Sequence, residues 1–423
     1  MHLSQIWAYA MMAGTTLAQG NLDALLASQD DLSTLLELVG LVDGLAETLS
    51  SASNITIFAP TNDAFAAVPR DVPEGEAIEY ENDTIAIGAL LANHVFQGVY
   101  PAEVITDIPT FAQTLLNSSY VNARQPFSNF TGGAYNGLVK NGDEVCVLSG
   151  EQTISTVTEA NIMLGEGITI HKIDTVLSFG APFQLFTYRS GYTAMNSALE
   201  AAQLAIDFGL SGPDAQGLNV SDFTIFVPTN DAFGAIGSVL ESADQATLQE
   251  VLKYHIIPNN VIFSPSLGNV TVNSLQGAEL VVTVAQDGSQ VWVNGAKIVF
   301  ANTILFNGVA HVIDGVLNPL EPFDRASLEP DAVASDRVAF ADASSVSALP
   351  FASASLAFGG DLMTYTTTPE LLKTVAPLAI PTAGGGATTT KPPMEIYTGA
   401  ANGLLPGAGM AVAGAMGLAV ALV

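Results

Sequence analysis

The stretch that decides the fold is Thr56-Ile57-Phe58-Ala59-Pro60-Thr61-Asn62-Asp63-Ala64-Phe65, because it returns as Thr224-Ile225-Phe226-Val227-Pro228-Thr229-Asn230-Asp231-Ala232-Phe233. Nine of the ten positions agree, at an offset of 168 residues. Self-similarity of that length signals a duplicated structural unit. Inside each copy the β-branched and aromatic residues read as a strand that Pro stops. Thr61 or Asn62 can then cap a helix that carries Ala64 and Phe65 inward. The motif is a strand-to-helix corner, present twice.

Outward from the first corner, Leu22, Leu25 and Leu26, then Leu32, Leu35, Leu36 and Val39, stand at helical spacing that Gly40 and Gly44 interrupt. Two short helices are expected there. Between Asp71 and Asp83 lie six carboxylates, Asp71, Glu74, Glu76, Glu79, Glu81 and Asp83, without the Asp-x-Asp-x-Asp-Gly order of a calcium loop. They read as a solvated acidic loop. A helix from about Asp83 to Val95 carries His94, and Glu144–Leu148 and Ile168–Ile173 read as antiparallel strands. Cys146 sits in the first of these as a small buried hydrophobe.

The second copy repeats the plan. A helix over Thr193–Phe208 precedes its corner, and a helix over Asp244–Ile257 carries Tyr254 and His255 on or beside an apolar stripe. Strands Glu279–Ala285 and Gln290–Val293 join at Asp287-Gly288, a hairpin signal. The copies close on His171-Lys172-Ile173-Asp174-Thr175-Val176-Leu177 and His311-Val312-Ile313-Asp314-Gly315-Val316-Leu317, with five of seven positions identical. From His94 to His171 is 77 residues, against 56 from His255 to His311. The surplus falls within Asp107 to Lys140, where two N-x-S/T sequons point to a glycosylated surface loop.

Composition narrows the function classes. The 423 residues carry 11 Lys and Arg against 41 Asp and Glu, a net charge of -30, which repels nucleic-acid phosphates. Most of that field belongs to the first copy: Asn21–Leu177 holds 21 acids and 4 bases, Phe183–Leu320 only 11 and 3. A single cysteine excludes an intramolecular disulfide. The ends read as processing signals: a signal peptide over 1–18, and an apolar tail over 404–423 that follows small residues and has no basic flank, as in a lipid-anchor attachment signal. Gly399 is the expected attachment residue. Six sequons fit that secretory route, at Asn54, Asn82, Asn117, Asn129, Asn219 and Asn269. Residues 321–403, rich in Ala, Ser, Thr and Pro, read as an O-glycosylated stalk.

The corner, the helix histidine and the closing H-x-I-D-x-V-L strand, in this order and twice, resemble the fasciclin domain family over 21–177 and 183–320. The resemblance implies an α+β fold of two tandem domains, each a β-wedge or sandwich of short strands with helices packed on it. It also implies extracellular adhesion without catalysis or cofactor. The family's Tyr-His motif matches Tyr254-His255; the first copy has Asn93-His94. These four are the candidate adhesion residues, with Ile256 and Ile257 beside them unless they are core. The chain has no Arg-Gly-Asp triplet.

Apart from His2, the histidines are His94, His171, His255 and His311, all within the repeat. Paired with Asp174 or Asp314 they could be ligands or a base with its orienter. In a strand, however, residues three apart point to opposite faces, and no nucleophile elbow or phosphate-cradling loop is present. Structural histidines are the favoured reading, with no metal and no catalytic residues. The function expected is a lipid-anchored surface glycoprotein mediating adhesion; the alternative is a carbohydrate-binding cell-wall component without a direct adhesive role. Expected partners are extracellular matrix, cell-wall glycans or other cell-surface proteins, and the membrane through the anchor.

Overall fold

The computed structural model describes residues 21–351 apart from 123–125, 166, 205, 208–217, 287 and 289. The expected signal peptide over 1–18, the expected lipid-anchor tail over 404–423 and its expected attachment residue Gly399 lie outside the described residues.

Each copy builds a seven-stranded sheet with one shared topology. In the first, β1 (Ile55–Pro60), β2 (Val95–Gln97), β3 (Thr110–Gln113), β4 (Tyr135–Asn141), β5 (Glu144–Leu148), β6 (Ile154–Leu164) and β7 (Ile168–Ile173) take the order β2-β1-β7-β6-β5-β4-β3. A short pair, β8 (Ile206–Asp207) and β9 (Leu218–Asn219), precedes the second sheet. That sheet comprises β10 (Phe223–Pro228), β11 (Ile256–Ile257), β12 (Val270–Asn273), β13 (Glu279–Val284), β14 (Val291–Val293), β15 (Ala296–Ile304) and β16 (Gly308–Ile313). Its order is β11-β10-β16-β15-β14-β13-β12. The expected strands Glu144–Leu148 and Ile168–Ile173 are present with those bounds. Antiparallel pairing is only half of the story: β7 runs antiparallel to β6 but parallel to β1, and β16 is likewise parallel to β10. Three α-helices and the other five strands of the sheet lie between the members of each parallel pair, a long connection where a hairpin cannot serve.

The corner is built as its residues dictate. Thr61 Oγ1 accepts the Ala64 N–H at 3.3 Å and Thr229 Oγ1 accepts that of Ala232 at 3.2 Å, opening the helices Asn62–Ala67 and Asn230–Ala235. The next residue is no cap. Asn62 Oδ1 accepts the Thr34 N–H at 2.9 Å and its amide donates to Asp30 O at 3.1 Å, and Asn230 does the same for Ala194 and Gly191. In both copies this Asn ties the corner to the helices that precede it.

Strand alternation then divides the core. Ile55, Ile57 and Ala59 of β1 face the N-terminal helices and the helix Thr84–Asn93, whereas Phe58 faces the other side with Phe96, Leu138, Val147 and Ile173. Phe58 stacks on His171 with centroids 5.1 Å apart, and Phe226 on His311 at 5.8 Å.

Two expectations change. The acidic stretch is largely helical, over Pro73–Glu79, and Glu74 within it is buried, because its carboxylate caps a backbone N–H across the domain rather than meeting water. The insertion is the long β3–β4 connection, and it is not a free surface loop: Leu115, Leu116, Tyr120, Phe127 and Phe130 are buried in a cluster that reaches Phe263, Ile304 and Val309 of the second copy. Its aromatic residues need that apolar partner surface.

Residues 321–351, the described part of the expected O-glycosylated stalk, pack against the second copy. Arg337 donates to Asp314 Oδ2 at 2.7 Å and to Gly295 O at 2.7 Å, Arg325 donates to Val282 O at 3.0 Å, and Phe351 is buried against Phe233.

Candidate functional site

Each copy contains one loop fixed from three directions. In the first, Thr56 Oγ1 donates to Gly98 O and accepts the Tyr100 N–H, both at 2.9 Å. His171 Nε2 donates to Tyr100 O at 2.9 Å while its Nδ1 accepts the Asn161 N–H at 3.3 Å. Asn161, with φ of 61°, bulges out of β6 and its Oδ1 accepts the Ala102 N–H at 3.0 Å. The second copy repeats every contact: Thr224 to Asn260 O and Ile262 N, His311 to Ile262 O and Asn302 N, Asn302 to Ser264 N. Sequence reasoning missed Asn161 and Asn302. The signal was available in the repeated Ala160-Asn161-x-x-Leu164 and Ala301-Asn302-x-x-Leu305.

The two clamped loops meet different surroundings. In the second copy Phe263 inserts against the first, stacking on Phe111 at 3.8 Å and leaning on Tyr135 at 5.4 Å, and is 4% exposed. The counterpart loop of the first copy and the segment that follows it present Val99, Val104 and Ile108 at 43%, 48% and 46% exposure. A cavity of about 340 Å³ lies beside it, lined in part by Ala102, Glu103, Lys140, Asp143, Glu144 and Val145.

The other two histidines hold the helix ends. His94 Nδ1 donates to Leu90 O at 2.8 Å and Nε2 accepts the Leu177 N–H at 2.9 Å; His255 does the same with Val251 O at 2.7 Å and Leu317 N at 3.0 Å. Burial holds His94, His255 and His311 down to about 4, and His171 is lowered for the same reason. All four rings are therefore neutral at pH 7 and spend both nitrogens on the main chain. Among the described residues no group of three or more His, Cys, Asp or Glu is placed to hold a metal ion.

The four candidate adhesion residues are interior. Tyr254 donates to Glu279 O at 2.6 Å and accepts from Asn294 Nδ2 at 2.6 Å. Asn93 instead donates to Ser178 O at 3.2 Å and accepts from Asn136 Nδ2 at 3.2 Å. With His94 and His255 they are buried, as are Ile256 and Ile257. Of the sequons, Asn54, Asn82 and Asn269 are exposed, Asn117 and Asn129 are half-buried, and Asn219 is on β9 with its side chain outside the description. Cys146 is buried on β5, and burial pushes its thiol up.

The fasciclin domain model matches residues 30–179 and 190–319, more than half of the chain. The chain belongs to the fasciclin domain family. Similar proteins include a fasciclin-like arabinogalactan protein of Cercospora beticola, 28% identical over 75% of this chain and 81% of that one. Another of that description, from Phaeosphaeria nodorum, is 28% identical over 70% of this chain and 88% of its own. Human periostin is 25% identical over 65% of this chain but only 29% of its own length. The two clamped loops thus belong to tandem fasciclin domains. Among the described residues no helix is long and apolar enough to cross a membrane.

Proposed function

We propose that this fasciclin protein is an extracellular, lipid-anchored glycoprotein that mediates cell adhesion or cell-surface and matrix contact through its paired domains. Its anchor attaches at Gly399, its sequons carry the glycans, and its partners are matrix, wall glycans or other surface proteins. One observation carries this reading. The clamped loop buries Phe263 against the other domain in the second copy, whereas in the first the loop and the residues just after it hold Val99, Val104 and Ile108 out to solvent beside a rigid base. Exposed aliphatics on a rigid scaffold suit weak contacts that many copies on one surface multiply. The buried Tyr254-His255 and Asn93-His94 pairs act indirectly, by fixing the helix ends and strands beneath.

Cells displaying V104D/I108D protein should attach less well to matrix and to each other than cells displaying the parent at equal density. Unchanged attachment with unchanged folding rejects the loop as the contact surface. The cavity beside the loop favours the second reading, a carbohydrate-binding wall component, since Lys140, Asp143 and Glu144 can bond sugar hydroxyls. Glycan-array binding lost in K140A/E144Q, with normal attachment, would select it.

A further inference from the structure

One buried carboxylate has no part in the clamps. Glu74, on the helix Pro73–Glu79, is 5% exposed and accepts the backbone N–H of Phe179 in the segment that joins the two domains. Around this contact the joining segment is tightly confined. Gly150 N donates to Ser178 O at 3.0 Å, and a Cβ at Gly150 would fall 1.9 Å from Phe179 O. Beyond it, Ala181 pairs with Leu305, and Phe306 N donates to Ala181 O at 2.9 Å. The turn that carries Gly150 continues into Glu151 and Gln152, both left-handed at φ of 54° and 60°. Glu151 pairs with Arg189, on the first helix of the second domain, at 3.2 Å, with side chains 14% and 19% exposed. Gln152 Nε2 donates to Thr303 Oγ1 at 2.9 Å, again across the junction.

We propose that Glu74, together with the Glu151–Arg189 pair, is a proton-operated latch on the domain junction: neutral Glu74 sits buried with the domains docked, and ionised Glu74, a buried charge facing Glu151, drives them open. The charged groups that meet Glu74 favour this assignment. Glu151 faces it with a like charge, and Arg189 is already engaged by Glu151. Burial first, then the Glu151 charge, pushes Glu74 up to about 8, although the Phe179 N–H pulls the other way. Burial likewise pushes Glu151 up to about 7 against the pull of Arg189. His94 reaches the same segment through Leu177, but it is held at about 4 and stays neutral in the relevant range.

In water a freed Glu74 ionises near the ordinary carboxylate value, so opening releases one proton until pH reaches its docked value. Opening then becomes about tenfold more favourable per pH unit. Between pH 7 and 8 docked Glu151, at about 7, passes from half to largely ionised and adds about twofold to the opening, while Glu74 supplies about fivefold.

Hydrogen exchange of the peptide spanning 174–190, corrected for intrinsic rates, tests this on the whole protein. Protection should fall about tenfold from pH 7 to 8 and level off above. E74Q, neutral and of equal size, should lose no more than about twofold of its protection between pH 7 and 8, the share that Glu151 supplies. E151Q should shift the levelling to lower pH, because the opposing charge is gone. A wild-type profile with no slope, or an equal slope in E74Q, overturns the latch. Should E74Q fail to fold, an unmoved E151Q profile overturns it.

Discussion

Nε2 of His94 accepts the backbone N–H of Leu177 at 2.9 Å, and Nε2 of His255 accepts that of Leu317 at 3.0 Å, so each domain closes its C-terminal end on a neutral imidazole. Protonation would destroy that acceptor inside the core. The held-down values of His94, His255 and His311 make pH a lever on stability.

The first prediction follows from proton counting. Below about 6.5 the unfolded chain binds protons that these three native rings refuse, so stability is full above that pH and is lost as pH falls toward about 4. Each ring can cost on the order of 3 kcal/mol across that range. Glu74 and Glu151 act in the opposite sense. Their raised values mean that their contribution is greatest near the ordinary carboxylate range and is lost as pH rises through about 7 and 8. The urea midpoint should therefore peak in mildly acid buffer and decline on both sides. A midpoint flat from pH 4 to 8 would contradict the assigned protonation states.

The second concerns the junction. Phe263 fills a socket made by Phe111 and Tyr135, and removing a buried Phe side chain costs about 3–5 kcal/mol. F263A should unfold in two calorimetric steps where the parent unfolds in one, because the apolar link between the domains is gone. A single step at the parental temperature would show that the stack couples nothing.

How much of this was legible beforehand depends on the range of the signal. The corner, the β5 and β7 strands and the helix histidines rest on local pattern, and sequence carries local pattern directly. The parallel β1–β7 pairing is long-range, joining Ile55 to Ile168, and no local signal encodes it. Glu74 looked like one of six solvated acids because burial of a carboxylate depends on what arrives from elsewhere, here the Phe179 amide. The places where the copies diverge were visible as divergences, but their role was not. Asn93 bonds the start of the joining segment, and the insertion brings Phe111's neighbours against the second domain. Both differences serve the junction.

The last prediction concerns residues 321–351, whose sparse aliphatics hid their docking. Val346 N donates to Gly234 O at 3.1 Å, Ser344 N donates to Ser238 Oγ at 2.8 Å, and a Cβ at Gly237 would fall 2.0 Å from Val346 Cγ2. G237A should therefore push this segment off without altering the sheet behind it. R337A attacks the same segment electrostatically. It takes the cation from Asp314, which still accepts the Lys297 N–H at 2.7 Å, at a cost of about 1–3 kcal/mol. In both variants, protease cleavage between 338 and 351 should accelerate while the two domains stay intact. Resistance equal to the parent in both would mean that the segment is held by neither contact.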